Sequence, residues 1–430
     1  MKKTLRPFQL AGRDHLVRNH HALLADEPGL GKTVQAIAAA ELLAAKRILV
    51  IAPASMRLGW RQEIEECLGA QEFMAGWHII SYNEAVKWAP KSMGLYAYDL
   101  CILDEAHFLK TPDSQRTQAV FGNAAGLARR AARVWALSGT PVLNRPIEFY
   151  PLLKCLAARA IAPYDTFTRF AQHFCGAYFD GHGLNVKGAS HLDDLASRLQ
   201  GFMLRRTKEE VLPELPPRIV TRVPVEISAA DRRAIDAAES AIGDREAFIS
   251  STRENFSQLG DMSTLLRVTG EAKVAAAARY VEDLLETERK IVVFARHRSV
   301  IAELTIQIEG GCVVYQGGMS DREKQEAVNR FVKDPNCRVF IGNIQAAGTG
   351  INGLQEVCQT AVFAELSWTP GEMSQAADRL HRMGQRGSSV NIHWLYAPNT
   401  LEAAVLGVHD AKNSVIDRLM SGGAAVEGLL

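Results

Sequence analysis

Short apolar runs recur along this 430-residue chain, and stretches of helical period separate many of them. In the first half the runs are His21–Ala25, Arg47–Ala52, Trp77–Tyr82, Leu100–Leu103 and Arg133–Leu137. In the second half they are Lys290–Ala295, Cys312–Tyr315, Arg338–Ile341, Ala361–Leu366 and Val390–Tyr396. Most are continuously apolar, which is what strands covered on both faces require. Between them, stretches such as Lys32–Ala45, Ser320–Phe331 and Gly371–Met383 read as helices. Strand alternating with helix predicts a parallel sheet clad in helices, and two such series predict two sheets in an α/β chain. The length fits this, because it exceeds what one core usually holds.

Residues 142–288 have a different pattern, with helical periodicity in "LDDLASRLQGFMLRRTKEEV" and "AADRRAIDAAESAIGDREAF". Leu212–Arg218, "LPELPPR", reads as a stiff proline-rich connector. The expected layout is a first lobe over 1–215, with a helical insertion at about 147–203. A second lobe covers 216–430, with a helical segment at about 228–288, a core at about 289–400, and a C-terminal helix and tail.

Three stretches carry chemistry. "LLADEPGLGKT", Leu23–Thr33, nearly matches the phosphate-cradling pattern G-x-x-x-x-G-K-[ST], but has Asp26 where the first glycine belongs. A strand precedes it and an alanine-rich helix follows. Gly29 and Gly31 let backbone N–H groups approach phosphate oxygens, and the helix start adds partial positive charge. Lys32 would reach the β- and γ-phosphates and Thr33 would ligate Mg²⁺. The bland alternative is a glycine-rich turn before a helix. The second stretch is "YDLCILDEAHFLK", a strand ending in Asp104 and Glu105. Asp104 would hold Mg²⁺ and Glu105 would polarise the attacking water; otherwise the pair merely caps the next helix. The third is "SWTPGEMSQAADRLHRMGQR". Thr369 and Glu372 have capping-box spacing, Pro370 fits the first helical position, and Gly384 marks the expected end. On one long helix Gln375, Arg379 and Arg382 share a face, so the two arginines could clamp a transferring phosphoryl group. The bland alternative is a solvated face with an Asp378–Arg382 pair.

Together and in this order, these pieces resemble superfamily 2 helicase-like ATPases, and their wording resembles the Swi/Snf-type branch of chromatin remodellers and DNA translocases. "LRPFQ" resembles that branch's adenine-sensing start, "DEPGLGKT" its motif I, "VIAPASMRLGW" motif Ia, and "DEAH" motif II. "ALSGTPVLNRP" resembles motif III, "MLRRTKEEVLPELPP" a segment specific to the branch, and "VFARH", "GNIQAAGTGIN" and "SWTPGEMSQAADRLHRMGQ" motifs IV, V and VI. The resemblance implies two RecA-like lobes, ATP and Mg²⁺ as cofactors, and double-stranded DNA as partner. It implies nucleotide contacts at Gln9, Asp26, Gly29, Leu30, Gly31, Lys32, Thr33, Gly350 and Gln375. Catalytic roles would fall to Lys32, Asp104, Glu105, Arg379 and Arg382, with Thr33 and Asp104 on the metal. Candidate DNA contacts are Ser55, Arg57, Ser81, Lys110, Gly139, Thr140, Gly348 and Thr349, with Trp368 as a wedge at the groove or, equally, a core aromatic. Pro28 departs from the branch, which usually has methionine there; it removes an N–H and stiffens the loop. The compact motor-only form lies nearest the annealing helicases.

Composition narrows the partners. Net charge is +1, so nucleic acid would have to be gripped by a local basic groove. Residues 1–215 carry 26 Lys and Arg against 21 Asp and Glu, and the remainder carries 23 against 27, a balance that neither supports nor excludes DNA. No apolar run is long enough to span a bilayer. Seven scattered cysteines without a C-x-x-C pair point to a reducing compartment and away from a zinc site. Arg6, Arg13 and Asp14 interrupt any secretory signal. These features suggest a monomer in a bacterial or viral cytoplasm. No strand-splitting pin is legible, so translocation on duplex DNA is favoured over a strand-separating helicase or a slow nucleotide-gated switch.

Overall fold

The computed structural model describes residues 1–69, 76–88, 98–122, 126–142, 145–181, 183–240, 259–309, 311–347 and 351–420. The tail "SGGAAVEGLL" and Gly348, Thr349 and Gly350 lie outside them. Two compact units are present, Met1–Leu212 and Pro213–Lys412, and the chain from Asn413 onward groups with the first. The sequence had suggested that the whole C-terminal helix belongs to the second lobe; the helix Leu401–Met420 instead runs past the limit of that unit.

The first unit holds six parallel strands: β1 (His21–Leu24), β2 (Ile48–Ala52), β3 (Trp77–Ser81), β4 (Tyr98–Asp104), β5 (Ala131–Leu137) and, after a two-stranded hairpin of β6 (Tyr178–Phe179) and β7 (Leu184–Asn185), β8 (Met203–Leu204). Their order across the sheet is β3-β2-β4-β5-β1-β8. β2 is buried at every residue and β4 at all but one, as continuous apolar runs require. Two clusters flank the sheet. One gathers Leu23, Leu49, Cys101 and Leu103 with Phe170 and Phe174; the other gathers Leu24, Val50, Leu100 and Ile102 with Trp60 and Trp135. Successive strand residues point to opposite faces, so one run feeds both clusters.

The second unit repeats the plan with β9 (Arg218–Pro224), β10 (Ile291–Ala295), β11 (Cys312–Tyr315), β12 (Val339–Asn343), β13 (Thr360–Phe363) and β14 (Val390–Tyr396). The order is β11-β12-β10-β13-β14-β9, again parallel throughout. β9 was not anticipated from the sequence. It sits at the sheet edge with most residues exposed, so it lacks the apolar signature of the buried strands. Its pairing with β14 over seven residues, Arg218↔Val390 to Pro224↔Tyr396, makes it a strand. Ser320 caps the helix Asp321–Lys333 in a capping box with Glu323.

The expected helix Gly371–Met383 is shorter. It runs Pro370–Ala377, then tightens into turns in which Arg379 and Leu380 N–H bond three residues back, to Ala376 and Ala377. Asp378 pairs with Arg218 at 3.6 Å, and His381 Nε2 meets Pro216 O at 3.0 Å. Thr369 makes no side-chain cap; Glu372 accepts from Ser367 Oγ at 2.5 Å instead.

Candidate active site

In a parallel sheet, ligands gather beyond the carboxyl ends of the strands. The loop after β1, the Asp104–Glu105 pair ending β4 and the Ser138–Gly139 turn after β5 share that edge of the first sheet. β5 lies between β1 and β4, so the Ser138–Gly139 turn touches both neighbours. A Cβ on Gly139 would come within 2.7 Å of Pro28 Cγ, so only glycine lets the two loops abut here. His107 Nδ1 meets Ser138 Oγ at 3.0 Å and Glu105 Oε2 at 3.2 Å. The imidazole is hydrogen-bonded to the turn after β5 through Ser138, with Glu105 Oε2 close by.

The loop itself has both glycines at positive φ, Gly29 at 91° and Gly31 at 76°, values open to glycine at no steric cost. The helix Lys32–Leu42 follows directly, with Thr33 in its first turn. Lys32 Nζ lies 2.7 Å from Asp26 O and 3.3 Å from Glu27 O. Leu30 O accepts from Gln9 Nε2 at 3.2 Å and Gln35 Nε2 at 3.1 Å. Gln9 Oε1 also accepts from Arg6 N–H at 3.0 Å, so Gln9 joins the loop to the start of the helix Pro7–Arg18.

Asp26, expected among the nucleotide contacts, is engaged by protein groups at the back of the loop. Its buried carboxylate accepts a fork from Arg206, Nε to Oδ1 at 2.9 Å and Nη2 to Oδ2 at 2.5 Å, and Gln35 Nε2 at 3.2 Å. Arg206 Nη2 also reaches Gln35 Oε1 at 3.0 Å. The aspartate therefore braces the loop from behind; a carboxylate so engaged is a poor neighbour for phosphate. Arg205 adds bonds to Ala25 O at 3.3 Å and Gly139 O at 3.5 Å.

Asp104 is buried, and Trp60 Nε1 donates to its Oδ2 at 2.7 Å while Glu105 N–H donates to Oδ1 at 3.1 Å. Burial and the adjacent Glu105 charge push its carboxyl up to about 6, against the pull of Lys32 and these hydrogen bonds. Glu105 has φ 49°, uncommon for a residue with a side chain, and its side chain caps no helix. Oxygen donors from Asp104 and the Thr33 hydroxyl suit Mg²⁺. That ion is commonly held by one or two carboxylates plus substrate phosphates, and a divalent charge offsets the unfavourable burial of Asp104.

The first-unit DNA candidates follow the same sheet edge: Ser55, Arg57 and Ser81 beyond β2 and β3, Lys110 after β4, and Gly139 and Thr140 after β5, beside the loop after β1. Ser55 is half-buried in the turn after β2. Arg57 is exposed and pairs with Glu84 at 3.0 Å. Ser81 is buried, and its Oγ and N–H bond Glu84 reciprocally at 3.1 and 2.7 Å, which caps the helix Tyr82–Trp88. Lys110 lies 3.7 Å from Glu148, and Thr140 N–H bonds Ser138 Oγ at 3.3 Å.

In the second unit, Arg379 and Arg382 leave the helix but still converge. Their Nη1 atoms reach Ile351 O at 3.5 and 3.3 Å, and Arg382 Nη1 donates to Asn352 Oδ1 at 2.7 Å. Gln375 is buried on the helix. Trp368 resolves to the core alternative: it is 7% exposed and packs with Met262, Leu265, Leu266, Leu401 and Val405, so the groove-wedge reading is withdrawn. Trp60, His107, Ser138 and Arg206 went unassigned in the sequence. Only their positions inside recognised motifs, for all but Trp60's indole, could have pointed to them.

Two parallel-sheet units with a phosphate-loop, a paired carboxylate and convergent arginines define a helicase-like ATPase. An SNF2-related domain profile matches residues 10–93 and 75–274, and a helicase conserved C-terminal domain profile matches 273–384. The chain belongs to the SNF2-related family. It is 30% identical over 98% of its length to the human "DNA annealing helicase and endonuclease ZRANB3", and 33% identical over 93% to the Xenopus tropicalis "SWI/SNF-related matrix-associated actin-dependent regulator of chromatin subfamily A-like protein 1". It spans 41% and 43% of those relatives. The solved SWI2/SNF2 ATPase core of Sulfolobus solfataricus in complex with dsDNA aligns over 98% of this chain and 94% of that one, at 20% identity and a TM-score of 0.45. At that level the fold rests on the two sheets themselves. The relatives lend no support to a bacterial or viral source. Among the described residues no helix is long and apolar enough to cross a membrane.

Proposed function

We propose that this chain is an ATP-driven translocase on double-stranded DNA, acting as a monomer, with outputs such as fork remodelling, strand reannealing or displacement of bound proteins. The observation that supports it most is the layout of the first sheet. The residues for hydrolysis follow β1 and β4, and polar groups suited to a DNA backbone follow β2 and β3 (Ser55, Arg57, Ser81) and also β4 and β5 (Lys110, Gly139, Thr140) along the same edge. One rigid sheet thereby links nucleotide chemistry to a strip of backbone contacts. Contacts to phosphate carry no sequence information, as tracking requires. Relatives named as a DNA annealing helicase favour duplex DNA over strand separation.

In this reading Lys32 and the N–H groups of Gly29–Thr33 bind the β- and γ-phosphates. Gln9 and Gln375 contribute to nucleotide binding, with Gly350. Thr33 and Asp104 hold Mg²⁺, which supplies neutralisation of the phosphate charge. Trp60 keeps Asp104 aimed. Glu105 orients the attacking water and polarises it. Arg379 and Arg382, from the second unit, stabilise charge on the transferring phosphoryl group, so turnover is coupled to movement of the units. Ser55, Arg57, Lys110, Thr140, Gly348 and Thr349 contact DNA; Ser81 and Gly139 shape the loops that present them.

The test is ATP hydrolysis with duplex DNA, with single strands and with none. Stimulation by duplex is expected. Stimulation by single strands alone would favour a strand-separating helicase, and tight ATP-dependent DNA binding without turnover would favour a switch.

A further inference from the structure

Within the helical insertion of the first unit, the hairpin of β6 and β7 carries two aromatic rings that no core absorbs. Phe179 is 78% exposed and Tyr178 is 59% exposed, the largest values for aromatic residues among the described ones. They are successive strand residues, so they project from opposite faces of the ribbon. The display is built rather than slack. Asp180 N–H bonds Gly183 O at 3.2 Å, Gly183 N–H bonds Asp180 Oδ1 at 3.0 Å, and Asn185 Nδ2 holds Tyr178 Oη at 3.3 Å. The base is clamped to the end of the helix Phe167–Phe174 by Ser190 N–H to Phe174 O at 2.9 Å and by His191 Nδ1 to His173 O at 2.9 Å.

At that base stands a column of rings. Tyr164 stacks on His173 at 3.8 Å between centroids and 4° between planes, and His173 stacks on His191 at 4.2 Å and 14°. Asp194 holds His173 Nε2 at 3.1 Å. Beside the column lies a shallow, open surface depression lined by Pro163, Tyr164, Arg169, Gln172 and His173, of which Pro163, Arg169 and Gln172 are exposed. Arg169 Nη1 donates to Pro163 O at 3.4 Å, and Asp180 Oδ1 accepts from Gly183 N–H in closing the turn of the hairpin.

Exposed flat rings, a ring stack beside an open depression and the nearby Arg169 and Lys187 side chains are features that nucleobases with their phosphates recognise. In an intact duplex the base faces are hidden. We propose that this hairpin and the depression at its base form a stacking site for unpaired nucleotides of DNA, at a gap, end or branch. The inference rests on the reading of the chain as a DNA motor.

The test uses the full chain and a duplex interrupted by a short unpaired stretch carrying a fluorescent aminopurine. The same length of continuous duplex is the control. Binding is measured without nucleotide, separately from hydrolysis. The wild type is expected to prefer the interrupted DNA and to change the aminopurine fluorescence. Tyr178→Ala with Phe179→Ala should weaken binding to interrupted DNA by about ten- to a hundredfold and remove the fluorescence change. Duplex-stimulated hydrolysis should stay within about twofold, and Tyr178→Phe with Phe179→Trp should restore stacking. Unchanged binding and fluorescence in the alanine variant would overturn the proposal and leave the rings to a protein partner. Equal loss on both DNAs would overturn it as well. Absence of DNA-stimulated hydrolysis in a wild type that still stacks unpaired bases would instead count against the motor reading alone.

Discussion

Asp26 occupies the place where a phosphate loop ordinarily has glycine, and its partner explains how the loop tolerates it. Arg206, 180 residues away, forms a two-pronged bond to a carboxylate that is itself fully buried. Removing the arginine strands that charge. Arg206→Ala is expected to cost about 3–5 kcal/mol in thermal or chemical unfolding, and adding Asp26→Ala should recover part of the loss. Full additivity of the two losses would show that the pair is not coupled. Asp104 yields a pH prediction. Its folded-state value near 6 lies above the ordinary carboxylate range, so protons take it at higher pH than usual. Proton and Mg²⁺ compete for it, and apparent Mg²⁺ affinity should be about tenfold weaker at roughly pH 5 than above pH 7. Because Glu105 is the second cause of the shift, Glu105→Gln should move that inflection to lower pH. The same variant should bind ATP and fail to hydrolyse it; full activity would remove Glu105 from its assigned role. Lys32, Asp104 and Glu105 were legible because their motifs are local. Trp60 and Arg206 were not, because their partners lie 44 and 180 residues away and only the folded sheet brings them together.

Among the elements, the buried strands were readable because burial on both faces leaves an unbroken apolar run. β9 was not, since an exposed edge strand needs only its partner's backbone. The helix ending at Ala377 shows the opposite error: helical spacing persists in the sequence while the backbone turns to satisfy Asp378 and His381. Arg379 and Arg382 still converge, but on Ile351 O through turns. Trp368→Ala is accordingly expected to act as a core deletion, costing about 3–5 kcal/mol and depressing basal and DNA-stimulated hydrolysis alike. Loss of stimulation alone, with unfolding unchanged, would restore the groove-wedge role. Lys273, fully buried, bonds Glu402 at 2.6 Å and Leu395 O at 2.8 Å, and Glu402 accepts from Ala397 N–H at 3.1 Å. This pair ties the entry of the C-terminal helix to β14. Lys273→Met alone should destabilise by about 3–5 kcal/mol, and Lys273→Met with Glu402→Leu by less, as read from unfolding midpoints.

For the whole molecule, the modest charge surplus of the first half and the deficit of the second argue against bulk attraction to DNA. In the proposed reading, grip would depend on a few contacts at strand ends and on turnover that renews them. Movement along an intact duplex is therefore the central claim, and displacement of a third strand from a DNA triplex by the full chain tests it most directly. The account predicts that ATP drives the third strand off while the underlying duplex stays paired, and that Glu105→Gln abolishes the effect. Duplex-stimulated ATP hydrolysis with the third strand left in place, or release only after the duplex strands separate, would contradict it.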